Sequence, residues 1–141
     1  HINIYSKGKT SLGRFLSNFT KHKVNTSDGE FMSIEGYWYW LGCTHPDKDK
    51  LRHLSGFEAK KIGRELNALD WQEDNNFKNK ICSAIQKKIE TAPPDLYKEF
   101  IKSSLPFMHY YVYGKNPEKV IHVPEGQWII DFISQLRNRL I

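Results

Sequence analysis

The chain has 141 residues, a formal net charge of +5 at pH 7, 39% hydrophobic residues and 26% charged residues. This length fits one compact domain, and the composition is typical of a globular protein rather than of a disordered one. No apolar run approaches the roughly 20 residues of a membrane span, so no membrane partner is expected. The positive charge favours partners that carry phosphate, although the basic residues are spread along the chain.

The cysteines and histidines exclude two other classes of site. Cys43 and Cys82 are too few for a disulfide framework, and the first residues lack the pattern of a signal peptide, so the cytoplasm is the expected location. Together with His45 and His53 they do not follow the paired spacing of zinc ligands. We therefore expect no metal and no other cofactor.

The first part of the chain predicts short extended elements. Residues 2–5 alternate weakly in polarity and predict a strand, and residues 6–13 predict a polar loop. Ser27-Asp28-Gly29 is typical of a turn, which predicts a small hairpin with residues 30–32 as its second arm.

Helices are predicted over most of the remaining chain. Ser33 is a suitable N-cap for the first of them. Phe77, Ile81, Ile85 and Ile89 are spaced four apart and place an apolar stripe along a long helix, which Pro93-Pro94 ends. The predicted helices run from Ser33 through Leu41, from Pro46-Asp47 to a break at Ser55-Gly56, over residues 58–69, around 77–89, from Asp95 through about Ser103, and over residues 126–140.

A strand is predicted over residues 105–113, which are rich in aromatic and β-branched side chains. It pairs with residues 119–123 across a turn at Asn116-Pro117. The elements together predict a mainly helical α+β fold, with a single domain over residues 1–141 and a small antiparallel β-sheet.

Glu35 is the best candidate for a catalytic residue. In the first turn of a helix, the positive end of the helix dipole favours its ionised form. The aromatic residues that follow it would exclude water and raise its pKa. Such opposed influences are typical of a carboxyl group that acts as an acid or a base near neutral pH.

Several motifs in order along the chain resemble the NADAR (YbiA-like) family. Leu16-Ser17-Asn18-Phe19 and Ser33-Ile34-Glu35-Gly36-Tyr37 are similar to the opening of the family, which commonly reads Phe-Ser-Asn-Phe, a turn, and Ser-Val-Glu-His-Tyr. The resemblance continues in Ala59-Lys60-Lys61-Ile62-Gly63-Arg64, in Trp71 before a helix, and in Arg137 of the final helix. It covers nearly the whole chain.

The resemblance implies an enzyme that hydrolyses the N-glycosidic bond between ADP-ribose and the amino group of guanine. Its partners would be ADP-ribosylated DNA or RNA and ADP-ribose. Family members act as antitoxins to DarT-type guanosine ADP-ribosyltransferases, and some phages carry free-standing versions as counter-defence. The sequence Ile-Glu-Gly-Tyr-Trp-Tyr-Trp-Leu looks like this smaller phage branch.

The resemblance also implies roles for individual residues. Glu35 would stabilise the oxocarbenium-like transition state and activate water. Trp71 would hold the planar base, and Lys60 and Arg64 would meet the pyrophosphate. The residues expected to bind substrate are Ser17, Asn18, Phe19, Tyr37, Trp38, Lys60, Arg64, Trp71 and Tyr111.

The chain departs from the family pattern at two places. Many relatives carry a lysine seven residues after the glutamate, where this chain has Gly42. If that lysine forms a covalent adduct or fixes the sugar, this chain must use another group, and Lys60 and Lys61 are the candidates. Relatives also show Asp-x-Tyr-Trp-Gly before the last helix, and here His109 is the nearest candidate for the missing acid, as a second catalytic residue.

Three other functions fit the same residues. A non-catalytic module could bind single-stranded nucleic acid through phosphate contacts and base stacking. An N-glycosidase could act on a free nucleotide or on an intermediate of the riboflavin pathway. A degenerate family member could bind ADP-ribose without cleaving it.

Overall fold

The computed structural model describes all residues from His1 to Ile141 and confirms a mainly helical α+β fold. None of its helices combines the length and the apolar character that crossing a bilayer requires. The helices are α1 Ser11–Leu16, α2 Ile34–Leu41, α3 Gly56–Leu66, α4 Phe77–Glu90, α5 Pro94–Lys102 and α6 Gln127–Leu140. The strands are β1 Ile2–Asn3, β2 Val24–Thr26, β3 Gly29–Phe31, β4 Phe107–Met108, β5 Tyr110–Tyr113 and β6 Lys119–His122. Two 3-10 helices span Lys48–His53 and Pro124–Gly126.

The chain forms two compact units. The first unit comprises His1–Ser17 and Ala92–Ile141, and the second comprises Asn18–Thr91. Helices α1, α5 and α6 belong to the first unit, and α2, α3 and α4 belong to the second. That residues 1–141 act as a single domain stays a prediction.

The first unit holds two short sheets. Strand β1 pairs in parallel with β4, and β5 pairs antiparallel with β6. Arg137 of α6 is buried, donates a hydrogen bond to the carbonyl oxygen of Leu105 at 2.8 Å, and lies over the Phe107 ring at 4.2 Å. Arg137 therefore connects the last helix to β4 and to the residues just before it. The core of this unit includes Ile2, Leu12, Phe100, Phe107, Ile133 and Leu136.

The second unit is built on α2. This helix packs against α3, α4 and the 3-10 helix Lys48–His53, and the hairpin of β2 and β3 packs against α4. In the hairpin, Val24 lies opposite Phe31, and both side chains are buried. The core of this unit includes Phe31, Ile34, Tyr37, Leu51, Ala59, Ile81, Ile85 and Ile89.

The start of α2 is confirmed in detail. The Ser33 hydroxyl oxygen accepts a hydrogen bond from the backbone N–H of Gly36 at 3.0 Å, as an N-cap should. The same hydroxyl donates to the carbonyl oxygen of Leu54 at 2.8 Å. Ser33 thus fixes both the first turn of α2 and the segment that leads into α3.

Some predicted boundaries are wrong for identifiable reasons. The loop predicted over residues 6–13 ends early, because the Thr10 hydroxyl accepts a hydrogen bond from the Gly13 N–H and starts α1. Helix α3 begins at Gly56, where a break was predicted, and α5 begins at Pro94, whose fixed φ suits the first helical position. The strand predicted over residues 105–113 is interrupted at His109, and the predicted sheet is divided into three pairs of strands.

Replacing Ser33 with alanine should lower the free energy of unfolding by about 1–2 kcal/mol, because the cap and the bond to Leu54 are both lost. Urea denaturation followed by circular dichroism measures the change. Ser104→Ala is the control, since Ser104 is exposed and should tolerate the change within about 0.5 kcal/mol. Equal stabilities for the two variants would contradict the role of Ser33.

Candidate active site

Two consecutive backbone carbonyls bring the N-terminal ends of α2 and α3 together. The carbonyl oxygen of Asn18 accepts a hydrogen bond from the N–H of Glu35 at 2.9 Å, and that of Phe19 accepts from the N–H of Gly56 at 2.9 Å. The first N–H groups of a helix have no partner within the helix, so these carbonyls satisfy groups that need one. Glu35 is held in the first turn of α2 as a result.

Helices α2 and α3 then pack closely along their length. A Cβ atom at Gly63 would lie 2.3 Å from Cγ of Tyr39, so only a glycine permits this approach. The side-chain nitrogen of Asn67 donates hydrogen bonds to the carbonyl oxygens of Tyr39 at 3.2 Å and Gly63 at 2.8 Å. The two helices therefore form a rigid support for the side chains that project from them.

Glu35 is the carboxyl group with the most perturbed ionisation in this support. Burial raises its pKa from the ordinary value of 4.5 to about 7, against the opposing effect of the Lys60 and Arg64 cations. Lys60 and Arg64 lie four residues apart on α3 and therefore on one face of that helix. The structure thus brings together three of the residues predicted from the sequence.

Tyr39 is a residue of this site that the sequence analysis missed. It follows Glu35 by one helical turn, so both side chains lie on the same face of α2. Burial and the Glu35 carboxylate raise the pKa of Tyr39, and its interaction with the Arg64 side chain opposes them. The four-residue spacing from Glu35 was the available signal. We refer to Glu35, Tyr39, Lys60 and Arg64 as the Glu35 cluster.

An aromatic pair lies beside this cluster. The Phe19 and Phe57 rings meet edge to face at 5.1 Å, and the Lys60 Nζ atom lies 6.0 Å from the centre of the Phe19 ring. Phe57 is 66% exposed, so its ring presents apolar surface to solvent beside Phe19. Phe19 was predicted from the sequence, and Phe57 was not.

Trp71 covers Gly42, the residue that follows α2. A Cβ atom at Gly42 would lie 2.4 Å from the Trp71 indole, so the ring rests directly on the glycine backbone. Backbone pairing holds the two segments together, with the Gln72 N–H donating to the Gly42 carbonyl at 3.0 Å. Trp71 is 39% exposed, so part of its ring surface remains open.

The other predicted tryptophan, Trp38, packs within an aromatic group. Its ring meets the Phe77 ring edge to face at 4.8 Å, and Trp71 lies 6.4 Å from Phe77. Trp38 follows Glu35 by three residues and Gly42 follows it by seven, so all three positions lie on one side of α2. This side of α2 carries the Glu35 cluster at one end and Trp71 at the other, about 10 Å along the helix axis.

Two residues expected to bind substrate have structural positions instead. Tyr37 is fully buried, and its hydroxyl donates a hydrogen bond to Asp28 Oδ2 at 2.7 Å, so it belongs to the core rather than to a binding surface. Ser17 is buried and ends α1, with its N–H donating to the Arg14 carbonyl at 3.2 Å. Asn18 contacts α2 through its backbone, as described above.

His109 and Tyr111 belong to the first unit, whereas the Glu35 cluster belongs to the second. His109 Nδ1 donates a hydrogen bond to the carbonyl oxygen of Ile4 at 2.6 Å. A carbonyl can only accept, so Nδ1 carries the hydrogen, and in the neutral ring Nε2 is left as an acceptor. The Tyr111 ring contacts the rings of Tyr5 at 5.5 Å and His109 at 5.2 Å. The observed contacts of both residues are structural.

No group of three histidine, cysteine, aspartate or glutamate side chains is placed to hold a metal ion. Cys43 and Cys82 are free thiols. The Cys43 side chain is buried beside the pairing with Trp71, where it acts as a small apolar residue.

Comparison with known proteins identifies a related fold. No family model and no curated protein sequence matches this chain. The NMR structure of the E. coli protein YbiA superposes with a TM-score of 0.67 over 99% of this chain and 83% of the YbiA chain, at 16% sequence identity. The chain has a YbiA-like fold. This confirms the fold that the resemblance to the NADAR family implies.

Replacing Gly42 with alanine should displace the Trp71 ring, because the new methyl group would overlap the indole. We expect the indole N–H resonance of Trp71 to shift in a ¹H–¹⁵N correlation spectrum. Gly126→Ala is the matched control, since the nearest atom to a Cβ there lies 3.7 Å away. An unchanged Trp71 resonance in Gly42→Ala would show that the ring does not rest on this glycine.

Replacing Glu35 with glutamine should stabilise the protein at pH 8 by up to about 3 kcal/mol, since each tenfold change in an ionisation constant is worth about 1.4 kcal/mol. The folded state raises the pKa of Glu35, so the parent loses stability as the pH rises from 4.5 to about 7. The gain should vanish below pH 4.5, where the carboxyl is protonated in both states. Urea denaturation at pH 4 and pH 8 measures it, with Glu65→Gln, an exposed position on α3, as the control. A gain of equal size at both pH values would contradict the assignment.

Proposed function

We propose that the protein is an N-glycosidase that hydrolyses the bond between ADP-ribose and a guanine base of nucleic acid. The observation that carries the proposal is the Glu35 carboxyl, whose pKa is raised to about 7 beside the cations Lys60 and Arg64. The NADAR-like motifs supply the reaction class, and the YbiA-like fold supports placing the chain among proteins of that shape.

Glu35 suits both proton transfers of this hydrolysis. The carboxylate takes a proton from water as the water oxygen bonds to the anomeric carbon, and the bond from that carbon to the guanine nitrogen breaks. The proton then returns to the departing nitrogen, which leaves ADP-ribose and an unmodified guanine. A group with a pKa near 7 is able to accept and release a proton at neutral pH, which is the optimum for this kind of catalysis.

Lys60 and Arg64 supply the positive charge that an ADP-ribose pyrophosphate requires. Both lie close enough to Glu35 to lower its pKa, so a ligand bound to them places its sugar near the carboxylate. A bound anion would also offset their effect and raise the pKa of Glu35 further. NADAR proteins commonly have a lysine at the position of Gly42. We propose that Lys60 takes its place here, rather than Lys61, which is exposed.

Trp71 is the proposed platform for the guanine. Its ring is fixed on one side by Gly42 and partly open to solvent, as a stacking surface for a planar base should be. It lies on the same side of α2 as Glu35, about two helical turns away. That separation is comparable to the length of a nucleoside.

The biological setting proposed for this reaction is the reversal of DarT-type guanosine ADP-ribosylation in the cytoplasm. The protein would act as an antitoxin or, if encoded by a phage, as a counter-defence factor. The support for this setting is the local sequence around Glu35, which is similar to the corresponding sequence of the small phage members of the family.

A second candidate is a module that binds single-stranded nucleic acid without cleaving it. The observation that favours it is the exposed Phe57 ring beside Phe19 and Lys60, since an aromatic surface next to a cation is how such modules hold bases and phosphates. In that case Glu35 would be dispensable, and affinity would fall steeply with salt.

The deciding experiment uses an oligonucleotide that carries ADP-ribose on one guanine. The parent should release free ADP-ribose, and Glu35→Gln should reduce the rate by about 10²–10⁴-fold, the usual loss on removing a general acid or base. Glu65→Gln makes the same chemical change on the exposed face of α3 and should keep full activity. For the parent, kcat/KM should rise with pH up to about 7, where Glu35 becomes ionised.

Two results would overturn the proposal. If the folded parent binds the oligonucleotide without releasing ADP-ribose, the binding module is favoured. If it instead hydrolyses a free nucleotide or a riboflavin-pathway intermediate and ignores the oligonucleotide, the enzyme class stands and the substrate is wrong.

A further inference from the structure

A polar cavity of about 500 Å³ lies in the second unit, between the turn of the β2–β3 hairpin and α4. This volume lies within the usual range for small-molecule sites. None of its lining residues belongs to the Glu35 cluster. The lining residues are Thr26, Ser27, Asn76, Asn79, Lys80, Ser83, Ala84 and Lys87.

The spacing of the lining residues explains why α4 presents a polar wall here. Positions 76, 80, 83 and 87 are three or four residues apart and form one stripe along the helix, with position 79 beside it. The apolar stripe of Phe77, Ile81, Ile85 and Ile89 faces the core instead. A polar stripe alone is typical of any exposed helix, but this one borders a cavity that is open to solvent and that the hairpin turn lines on its other side.

One lining residue of the cavity, Lys80, is held in place by an ion network. The Lys80 Nζ atom lies 3.0 Å from Asp74 Oδ2 and 3.4 Å from Asp28 Oδ2, and Asp28 Oδ2 also accepts the hydrogen bond from the buried Tyr37 hydroxyl. An ammonium group has three N–H donors, and these two carboxylates occupy two of them. Lys80 therefore keeps one donor, on a side chain held in place from both the core and α4.

Lys87 supplies a positive charge at the far end of the stripe. No acidic side chain lies within ion-pair distance of its ammonium group, and the side chains of Asn76, Asn79 and Ser83 make no hydrogen bonds within the protein. The cavity therefore offers neutral amide and hydroxyl groups along its wall, and the Lys87 cation lies about 10 Å along α4 from Lys80 and its two carboxylates. This combination matches a ligand with several hydroxyl groups and a single anionic group.

We propose that this cavity binds a sugar phosphate, with the phosphate on Lys87 and the sugar hydroxyls on Asn79, Ser83 and the free donor of Lys80. The sugar phosphate belongs either to a free nucleotide-like metabolite or to a nucleic-acid strand. The site does not depend on the hydrolysis proposed for Glu35, because neither its residues nor its ligand requires that reaction.

The test is a titration of ¹⁵N-labelled protein with ribose 5-phosphate, ribose and a short unmodified single-stranded oligonucleotide. Ribose 5-phosphate should shift the resonances of residues 26–27 and 76–87. Lys87→Gln should weaken this binding about tenfold, because it removes the positive charge that the phosphate contacts. Lys98→Gln, an equally exposed lysine on α5, should leave it unchanged.

Ser83→Asp provides an independent variant, because Ser83 lies one helical turn from Lys87 and a carboxylate there should repel the phosphate of the ligand. If only the oligonucleotide shifts these residues, the proposal holds and the source is a strand. If ribose binds as well as ribose 5-phosphate, or if none of the ligands shifts residues 76–87, the proposal is wrong. None of these readouts depends on hydrolysis of ADP-ribose, so the two proposals fail separately.

Discussion

The candidate active site depends on two backbone carbonyls that accept hydrogen bonds from the first N–H groups of two helices. The carbonyls of Asn18 and Phe19 are adjacent in the chain, and each accepts a hydrogen bond from the first turn of a different helix. A peptide segment can satisfy both helices only if their N-terminal ends lie side by side. The position of Glu35 relative to α3, and therefore its contact with Lys60 and Arg64, follows from this arrangement.

The pKa of Glu35 is set by two opposing effects, burial and the charge of nearby side chains. Two cations and the dipole of α2 favour the carboxylate form of Glu35, while loss of water favours the neutral form. Burial is the stronger effect, but the cations keep the pKa close to neutrality. A site with the same burial and no cations would raise the pKa of the carboxyl further, and an exposed one would hold an ordinary carboxylate. The rigid packing of α2 on α3 fixes the position of Glu35 relative to Lys60 and Arg64, and so keeps its pKa between these limits.

The sequence was sufficient for features that depend on side chains close together in the chain. Ser33 as a cap, Glu35 in the first helical turn, and Lys60 and Arg64 on one helix face were all predictable from local spacing. The hydrogen bonds of the Asn18 and Phe19 carbonyls could not be predicted from the sequence. Every residue has a backbone carbonyl, so residue type does not indicate which carbonyls make such bonds. Tyr37 was misplaced because a buried tyrosine and a ligand-binding one look alike in a sequence, and only its bond to Asp28 distinguishes them.

The burial of Glu35 has a consequence for how this chain would respond to selection. A residue that carries a charge into an apolar environment weakens the fold that holds it, so a screen for heat resistance alone should find substitutions at this position early. Variants recovered in that way would be more stable, and under the proposed mechanism they would lack activity. A selection for higher thermal stability should therefore also select for activity, or it should leave position 35 unchanged.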